Sequence, residues 1–239
     1  GMTHTLEPRL MYVYAPEEFQ DDMPIFDTGE GSVSSYNVLF REQRFFGGDR
    51  VGDDNHIALG LTTRMISEKT GQERMRASIG QLYYLEDRFV TADGTPDTEG
   101  ESDIFAEFNA VATNQIDLRS FLRWDVDERE FSNIQLGVEY EAGPRRNVVL
   151  DYYKDNISSE NVRLQFDWPL GPRWQFSTGQ RYSIADGDFR ESSYGLIYDG
   201  CCWAVGLRGS NTLQSDGEFN TRYMLTFELD GLGSVRTGF

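Results

Sequence analysis

The chain has 239 residues, a formal net charge of −18, 38% hydrophobic residues and 13% aromatic residues. A disordered acidic chain is poor in aromatics, so this one is ordered, and its length allows one large β domain or two smaller ones. The acidic balance excludes a nucleic-acid partner, which needs clustered Lys and Arg, and no apolar run approaches the roughly 18 residues of a membrane helix.

Gly1-Met2 reads as an expression scar, and no signal peptide opens the chain, which leaves a trimmed start or a cytoplasmic protein. A first strand is expected around Leu6 to Tyr14, followed by a long loop from Ala15 to Asp54. From there, period-two alternation recurs along nearly the whole length, the pattern of strands with two unlike faces. Ile57, Leu59 and Leu61 begin it, and Ile116, Leu118, Leu122 and Trp124 follow. Ile134, Leu136, Val138 and Tyr140 oppose Asn133, Gln135, Gly137 and Glu139. Val148, Leu150 and Tyr152 come next, and then Val162, Leu164, Phe166 and Trp168 oppose Asn161, Arg163, Gln165 and Asp167. Trp203, Val205 and Leu207, and finally Tyr223, Leu225, Phe227 and Leu229, complete a series of about a dozen strands, each near the roughly 9 to 11 residues that cross a bilayer when tilted.

Alternation also fits a water-soluble sandwich. Two details favour a transmembrane barrel. Charges stand near mid-strand opposite the apolar set, at Arg64, Arg76, Glu107, Arg163 and Arg181, as a polar lumen requires. Aromatics gather near strand ends, at Tyr83-Tyr84, Tyr152-Tyr153, Trp168, Trp174, Tyr182, Tyr198 and Trp203, where barrel girdles sit. The connections point the same way. Short links at Thr70-Gly71-Gln72, Thr113-Asn114, Ala142-Gly143-Pro144, Leu170-Gly171-Pro172 and Asp199-Gly200 alternate with longer ones, such as Glu86 to Gly100 and Asp155 to Glu160. Taking the final strand, Glu218 to Leu229, to end in the periplasm places the short links there.

Cys201 and Cys202 are the only cysteines. Adjacent Cα atoms lie about 3.8 Å apart, under the roughly 4.4 to 6.8 Å of an unstrained disulfide, and in an extended segment neighbouring side chains leave opposite faces. A bond between them is therefore disfavoured. Two readings stay open: a pair of free thiols in a reducing compartment, or thiols each oxidised with a partner that this sequence does not contain.

Asp21, Asp22, Asp27, Asp49, Asp53 and Asp54 make the first loop acidic, but their spacing lacks a regular calcium loop. Solvated or bridging charge is the expectation, with no metal. An enzyme of the outer-membrane phospholipase kind would need a nucleophile activated by a base, usually His. Only His4 and His56 are available, and neither lies in a Ser-containing motif. A diffusion porin is the other alternative.

Several stretches resemble the lipopolysaccharide-assembly family LptD: Leu6-Glu-Pro-Arg, Tyr12-Val-Tyr-Ala-Pro, Leu39-Phe-Arg-Glu-Gln-Arg-Phe-Phe-Gly-Gly-Asp-Arg-Val-Gly-Asp-Asp-Asn and Ala77-Ser-Ile-Gly-Gln-Leu-Tyr-Tyr. Tyr198-Asp-Gly-Cys-Cys-Trp-Ala-Val looks like its paired-cysteine segment, and Phe227-Glu-Leu-Asp-Gly-Leu-Gly-Ser like the end of its last strand. The resemblance implies an all-β fold, an antiparallel transmembrane β-barrel of roughly 26 strands, with residues 1–239 as its C-terminal part. A periplasmic jellyroll and the N-terminal barrel strands would be absent. It implies transport of lipopolysaccharide to the outer leaflet of the outer membrane, with no catalysis and no cofactor. The implied partners are lipopolysaccharide, an LptE-like lipoprotein plug and periplasmic lipopolysaccharide-bridge proteins. Cys201 and Cys202 would pair with cysteines of the missing N-terminal portion. Tyr223, Leu225, Phe227 and Leu229 would lie on a lateral gate strand. The loop 15–54 would fold into the lumen, with Phe40, Phe45 and Phe46 as anchors, Gly47 and Gly48 turning the chain, and Arg41, Asp49 and Arg50 beside them.

Overall fold

A computed structural model describes the chain except residues 21–23, 25, 27–28, 31–34, 48–49, 92–93, 156–158, 215, 230–232 and 239, with backbone alone at 30 and 233–238. The strands are β1 (Met2–Ala15), β2 (Gly29–Glu30), β3 (Phe45–Phe46), β4 (Asp54–Ser67), β5 (Glu73–Tyr84), β6 (Ile104–Thr113), β7 (Ile116–Asp125) and β8 (Glu130–Glu141). They continue as β9 (Asn147–Asp155), β10 (Glu160–Pro169), β11 (Trp174–Ser183), β12 (Asp188–Asp199), β13 (Trp203–Leu213), β14 (Phe219–Leu229) and β15 (Gly233–Gly238). A 3-10 turn, Tyr36–Phe40, interrupts the first long loop. Thirteen strands form one sheet in chain order, from β1 at one edge to β15 at the other, while β2 and β3 pair separately. The all-β, antiparallel expectation holds, and the sheet is not closed on itself among the described residues.

The chain divides into two compact units: residues 1–110 with 120–133, and residues 111–119 with 134–239. In the first, β1 and β4 pair without interruption from Met2↔Ser67 to Ala15↔Asp54. One face of these strands carries Leu6, Leu10, Leu59, Leu61 and Ile79, all exposed. The other carries His56, Ala58, Thr62 and Ser78, all buried. There the Thr62 and Ser78 hydroxyls share a hydrogen bond of 2.9 Å.

In the second unit the register aligns whole rows. Trp168 lies opposite Phe176, Phe176 opposite Leu196, Leu196 opposite Leu207 and Leu207 opposite Leu225. This apolar row crosses five strands on one face. The other face carries polar rows, Arg163 opposite Arg181 and Arg181 opposite Glu191. Aromatic pairs mark both ends: Trp174 and Tyr198 pack edge-on at 4.9 Å and Tyr198 meets Trp203 at 5.4 Å, while Tyr182 and Phe189 pack at 5.2 Å at the far end. Trp174 and Tyr182 are the two ends of one strand, about 26 Å of chain. At barrel tilt that span is about 20 Å in height, close to the roughly 25 Å apolar band of outer-membrane barrels.

One boundary differs from expectation. Glu218 to Leu229 is not the last strand, because β15 pairs with β14 from Leu229↔Gly233 to Met224↔Gly238. The sequence Ser234-Val-Arg-Thr is too short to show a period of two by itself, and its strand character comes from the hairpin partner. Since β15 runs back from the short-link end, the orientation rests on the loop lengths and not on the final strand.

Candidate functional site

The long first loop folds back onto the polar face of β4 and β5. Ser35 caps the 3-10 turn, accepting from the Asn37 N–H at 3.3 Å, and the Tyr36 N–H donates to the Glu107 carboxylate at 3.2 Å. Tyr36, Leu39 and Phe40 are thereby buried against Ala58, Phe105 and Phe121, with Met11 and Leu82 alongside. The sheet makes room with two glycines directly opposite each other, Gly60 and Gly80. A Cβ on Gly60 would lie 2.0 Å from the Tyr36 hydroxyl and 2.7 Å from the Phe40 ring, and one on Gly80 would lie 2.8 Å from Leu39. These glycines are therefore the seat of the loop. The Arg9 guanidinium stacks over the Phe40 ring at 4.0 Å and closes the cluster from β1.

Of the expected anchors, Phe40 and Phe45 are buried, whereas Phe46 is exposed at 45%. Phe46 follows Phe45 in an extended pair and so faces the opposite way; the Arg41 guanidinium covers its ring at 3.8 Å. Gly47 has φ of 97°, the conformation that favours glycine, and turns the chain there. Gly48 and Asp49, with Asp21, Asp22 and Asp27, lie outside the described residues.

Asp53 is the electrostatic knot that joins this loop to the next one. Its carboxylate accepts from the backbone N–H groups of Phe89 at 2.6 Å and Val90 at 2.9 Å, and from Arg44 at 3.0 Å. Burial pushes the Asp53 carboxyl up, but the two N–H groups and the Arg44 guanidinium outweigh it and hold it below the usual carboxylate range. Arg44 also donates to the carbonyls of Asp53 and Val90, and Arg50 donates to the Thr91 carbonyl at 2.9 Å. Gln20 bridges both backbone groups of Val51, at 2.7 and 3.0 Å. Within the second loop Arg88 is buried, paired with Asp97 at 2.5 Å and stacked on Tyr84 at 3.3 Å. Sequence reasoning missed Tyr36, Leu39, Arg44 and Arg88. Gly60 and Gly80 were the visible signal of a close approach, but nothing in the pattern names what approaches.

A cavity of about 210 Å³ lies under this loop, lined by Arg41, Arg44, His56, Arg88, Asp97 and Ser102 among others. His56 Nδ1 and Asp54 Oδ1 are 2.7 Å apart, which resembles half of an acid–base relay. The Ser102 hydroxyl is committed elsewhere, accepting from the Leu82 N–H at 3.0 Å and donating to the Asp103 carbonyl at 2.8 Å. His4 bonds only Thr63, at 2.7 Å. Asp53 and Asp54 spend their charge on Arg44, on backbone N–H groups and on His56.

Cys201 and Cys202 are exposed free thiols in the turn between β12 and β13. The Gly200 N–H donates to the Trp203 carbonyl at 2.7 Å and closes that turn. Their sulfurs stand 3.0 Å apart, so the expectation that they leave opposite faces fails. That expectation assumed an extended segment, and the chain bends here. The contact with Cys202 pushes the Cys201 thiol up. Tyr223, Leu225, Phe227 and Leu229 share the exposed apolar face of β14.

An antiparallel sheet with an exposed apolar face, a polar opposite face, aromatic ends and a loop folded onto the polar side defines a segment of an outer-membrane-type β-barrel. The family model LptD, LPS transport system D, matches residues 1–174, and the chain belongs to this family. It is 34% identical over 234 residues to an LPS-assembly protein LptD of Thiobacillus denitrificans, covering 97% of this chain and 32% of that protein. It is 37% identical over 250 residues to that of Alkalilimnicola ehrlichii, covering 99% and 32%. The Nitrosococcus oceani protein of the same name is 33% identical over 238 residues, covering 98% and 32%. The chain spans about a third of the length of the curated relatives it matches.

Proposed function

We propose that this chain is the C-terminal part of the barrel of a lipopolysaccharide-assembly protein, and that it works in the outer membrane of a Gram-negative cell. The observation that carries this reading is the coincidence of family membership with a two-faced sheet. Lipopolysaccharide joins acyl tails that prefer hydrocarbon to a sugar chain that prefers water. A wall with the row Trp168, Phe176, Leu196, Leu207, Leu225 outside and arginines inside suits both parts at once. The function is therefore passage and lateral release.

The exit is placed at the terminal hairpin. Tyr223, Leu225, Phe227 and Leu229 belong to its inner strand, and Gly233–Gly238 is the free edge of the sheet. An unpaired edge in lipid leaves backbone groups unsatisfied, so the edge closes on a strand from the rest of the protein and parts when cargo leaves. Cys201 and Cys202 lie at the short-link end, which faces an oxidising periplasm, and form disulfides with cysteines of the N-terminal part. An LptE-like lipoprotein fills the lumen, and periplasmic bridge proteins deliver cargo to the N-terminal domain.

The test is depletion of the full-length protein, followed by measurement of lipopolysaccharide at the cell surface. Surface delivery should stop, and it should return with the wild-type gene. A cysteine at Arg236 crosslinked to the first strand of the complete barrel should block delivery while leaving assembly intact. Delivery that continues after depletion refutes the function, and delivery that continues with the seam locked refutes the exit. On non-reducing gels the full-length protein should lose a mobility shift in the Cys201→Ser, Cys202→Ser variant. Free thiols in the mature protein would refute the disulfides.

A further inference from the structure

The arginines on the polar face are treated differently in the two units. In the first, the mid-strand guanidinium groups are engaged: Arg64 meets Glu7 at 3.2 Å and Glu73 at 3.6 Å, Arg76 meets Glu73 at 2.8 Å, and Arg9 lies over the Phe40 ring at 4.0 Å. In the second, Arg163 and Arg208 make no ion pair with any described residue, in a chain that carries 18 more acidic than basic charges. Arg163 stands directly opposite Arg181 on β11. Directly opposed like charges destabilise a sheet, so this arrangement needs a reason. Arg181 has one acid, Glu191, at 3.7 Å. Asp151, opposite Arg163 on the other side, turns its oxygen to Arg119 at 3.8 Å.

These guanidinium groups rim one groove. A cavity of about 210 Å³ is lined by Arg163, Arg181 and Arg208, by two acids, Asp167 and Glu191, and by glutamine, serine and threonine side chains, with no aliphatic or aromatic residue. Its floor is flattened by Gly179, where a Cβ would lie 3.0 Å from the Ser193 hydroxyl. Such a surface offers hydroxyls and amides to sugar hydroxyls, and planar guanidinium forks to phosphate or carboxylate oxygens. An acyl chain has nothing to gain there. The volume equals about seven waters, the scale of a single phosphorylated sugar unit.

We infer that the groove on the polar face of β10 to β13 is a transient binding site for the phosphorylated sugar region of the cargo, with Arg163, Arg181 and Arg208 as its anion ligands. The inference rests on the proposed lipopolysaccharide function and adds the place where the sugar is held. Exposure keeps each contact weak enough to release, as passage requires.

The experiment uses the full-length protein with its natural partners in cells, with a photo-crosslinking phenylalanine replacing Gln165. The expected product is an adduct with lipopolysaccharide. The adduct should fall at least five-fold in Arg163→Gln, Arg208→Gln and in a host whose lipopolysaccharide core lacks phosphate, and it should persist in Arg163→Lys, Arg208→Lys. Heat-modifiability on gels reports that each variant barrel has folded. An adduct with protein alone would show that a plug or another segment closes the groove, and an adduct indifferent to charge would remove the arginines from the site; either overturns the inference. If purified protein binds inorganic phosphate but forms no lipopolysaccharide adduct, the site serves a free anion and the inference is likewise wrong. Surface delivery measured in the same strains separates the two levels. Delivery that depends on the protein while the adduct ignores charge leaves the function standing and sinks the groove alone.

Discussion

Replacing Gly60 by Ala should unseat the first long loop without touching the barrel wall. The added Cβ would lie 2.0 Å from the Tyr36 hydroxyl, so Tyr36 must move by about 1.4 Å to regain an ordinary 3.4 Å contact. Its room to do so is small, because Tyr36 is 5% exposed and Phe40, also in the way at 2.7 Å, is 8% exposed. Overpacking of this kind costs about 1 to 3 kcal/mol. The wall has a cheap escape, since the loop is the part not bonded into the sheet, and the cost should therefore appear as loop release. When opening is fast, proteolysis follows the population of the open form, so cleavage within 16–53 should quicken by about 5-fold to 150-fold. The assay is limited proteolysis of the full-length protein in membranes, with Gly100→Ala as control, because a Cβ at Gly100 meets nothing within 4 Å. Equal cleavage rates in the two variants would refute the seating of the loop on Gly60.

Arg in place of Leu164, on the lipid-facing side, should cost about 2 to 4 kcal/mol near the bilayer midplane, and Arg in place of its neighbour Gln165 much less; equal tolerance in a membrane-refolding assay would reverse the assignment of faces. Asp53 gives a pH dependence of known sign. Its folded-state pKa is depressed, so its stabilisation is complete above the unfolded value of about 3.9 and is lost as pH falls through the lower folded value. The gap in thermal stability between wild type and Asp53→Asn should be constant from neutrality to about pH 5 and close below about pH 4. A gap that persists unchanged into acid would exclude the carboxylate as its source.

The wall was legible because a period of two is a property of single strands. Each strand declares its faces without its neighbours: the alternation had already sorted Trp168, Leu207 and Leu225, and the register joins them into one row through Phe176 and Leu196. The lumen was not legible, because its contents come from elsewhere in the chain. Tyr36 and Leu39 sit in a loop whose acidic composition says nothing of burial, and the opposed Gly60 and Gly80 mark where they are received. Arg88, which nothing in the sequence pattern singles out, is buried, because Asp97 and the Tyr84 ring together replace its water. The terminal boundary failed for a related reason, as β15 is a strand by virtue of its pairing with β14.

The same division bears on how such a wall can open. Each boundary inside the sheet is held by two terms at once: the backbone ladder, and on the outside a continuous apolar row that lipid covers equally well whether strands meet or part. Lipid offers no hydrophobic force to keep neighbouring strands together, so resistance to parting comes from the ladder. The β13–β14 boundary, for example, pairs without interruption from Trp203↔Leu229 to Leu213↔Phe219. For the proposed lateral exit the cost of parting is therefore counted in backbone hydrogen bonds, and a crosslink between the parting strands raises that cost without changing what lipid covers.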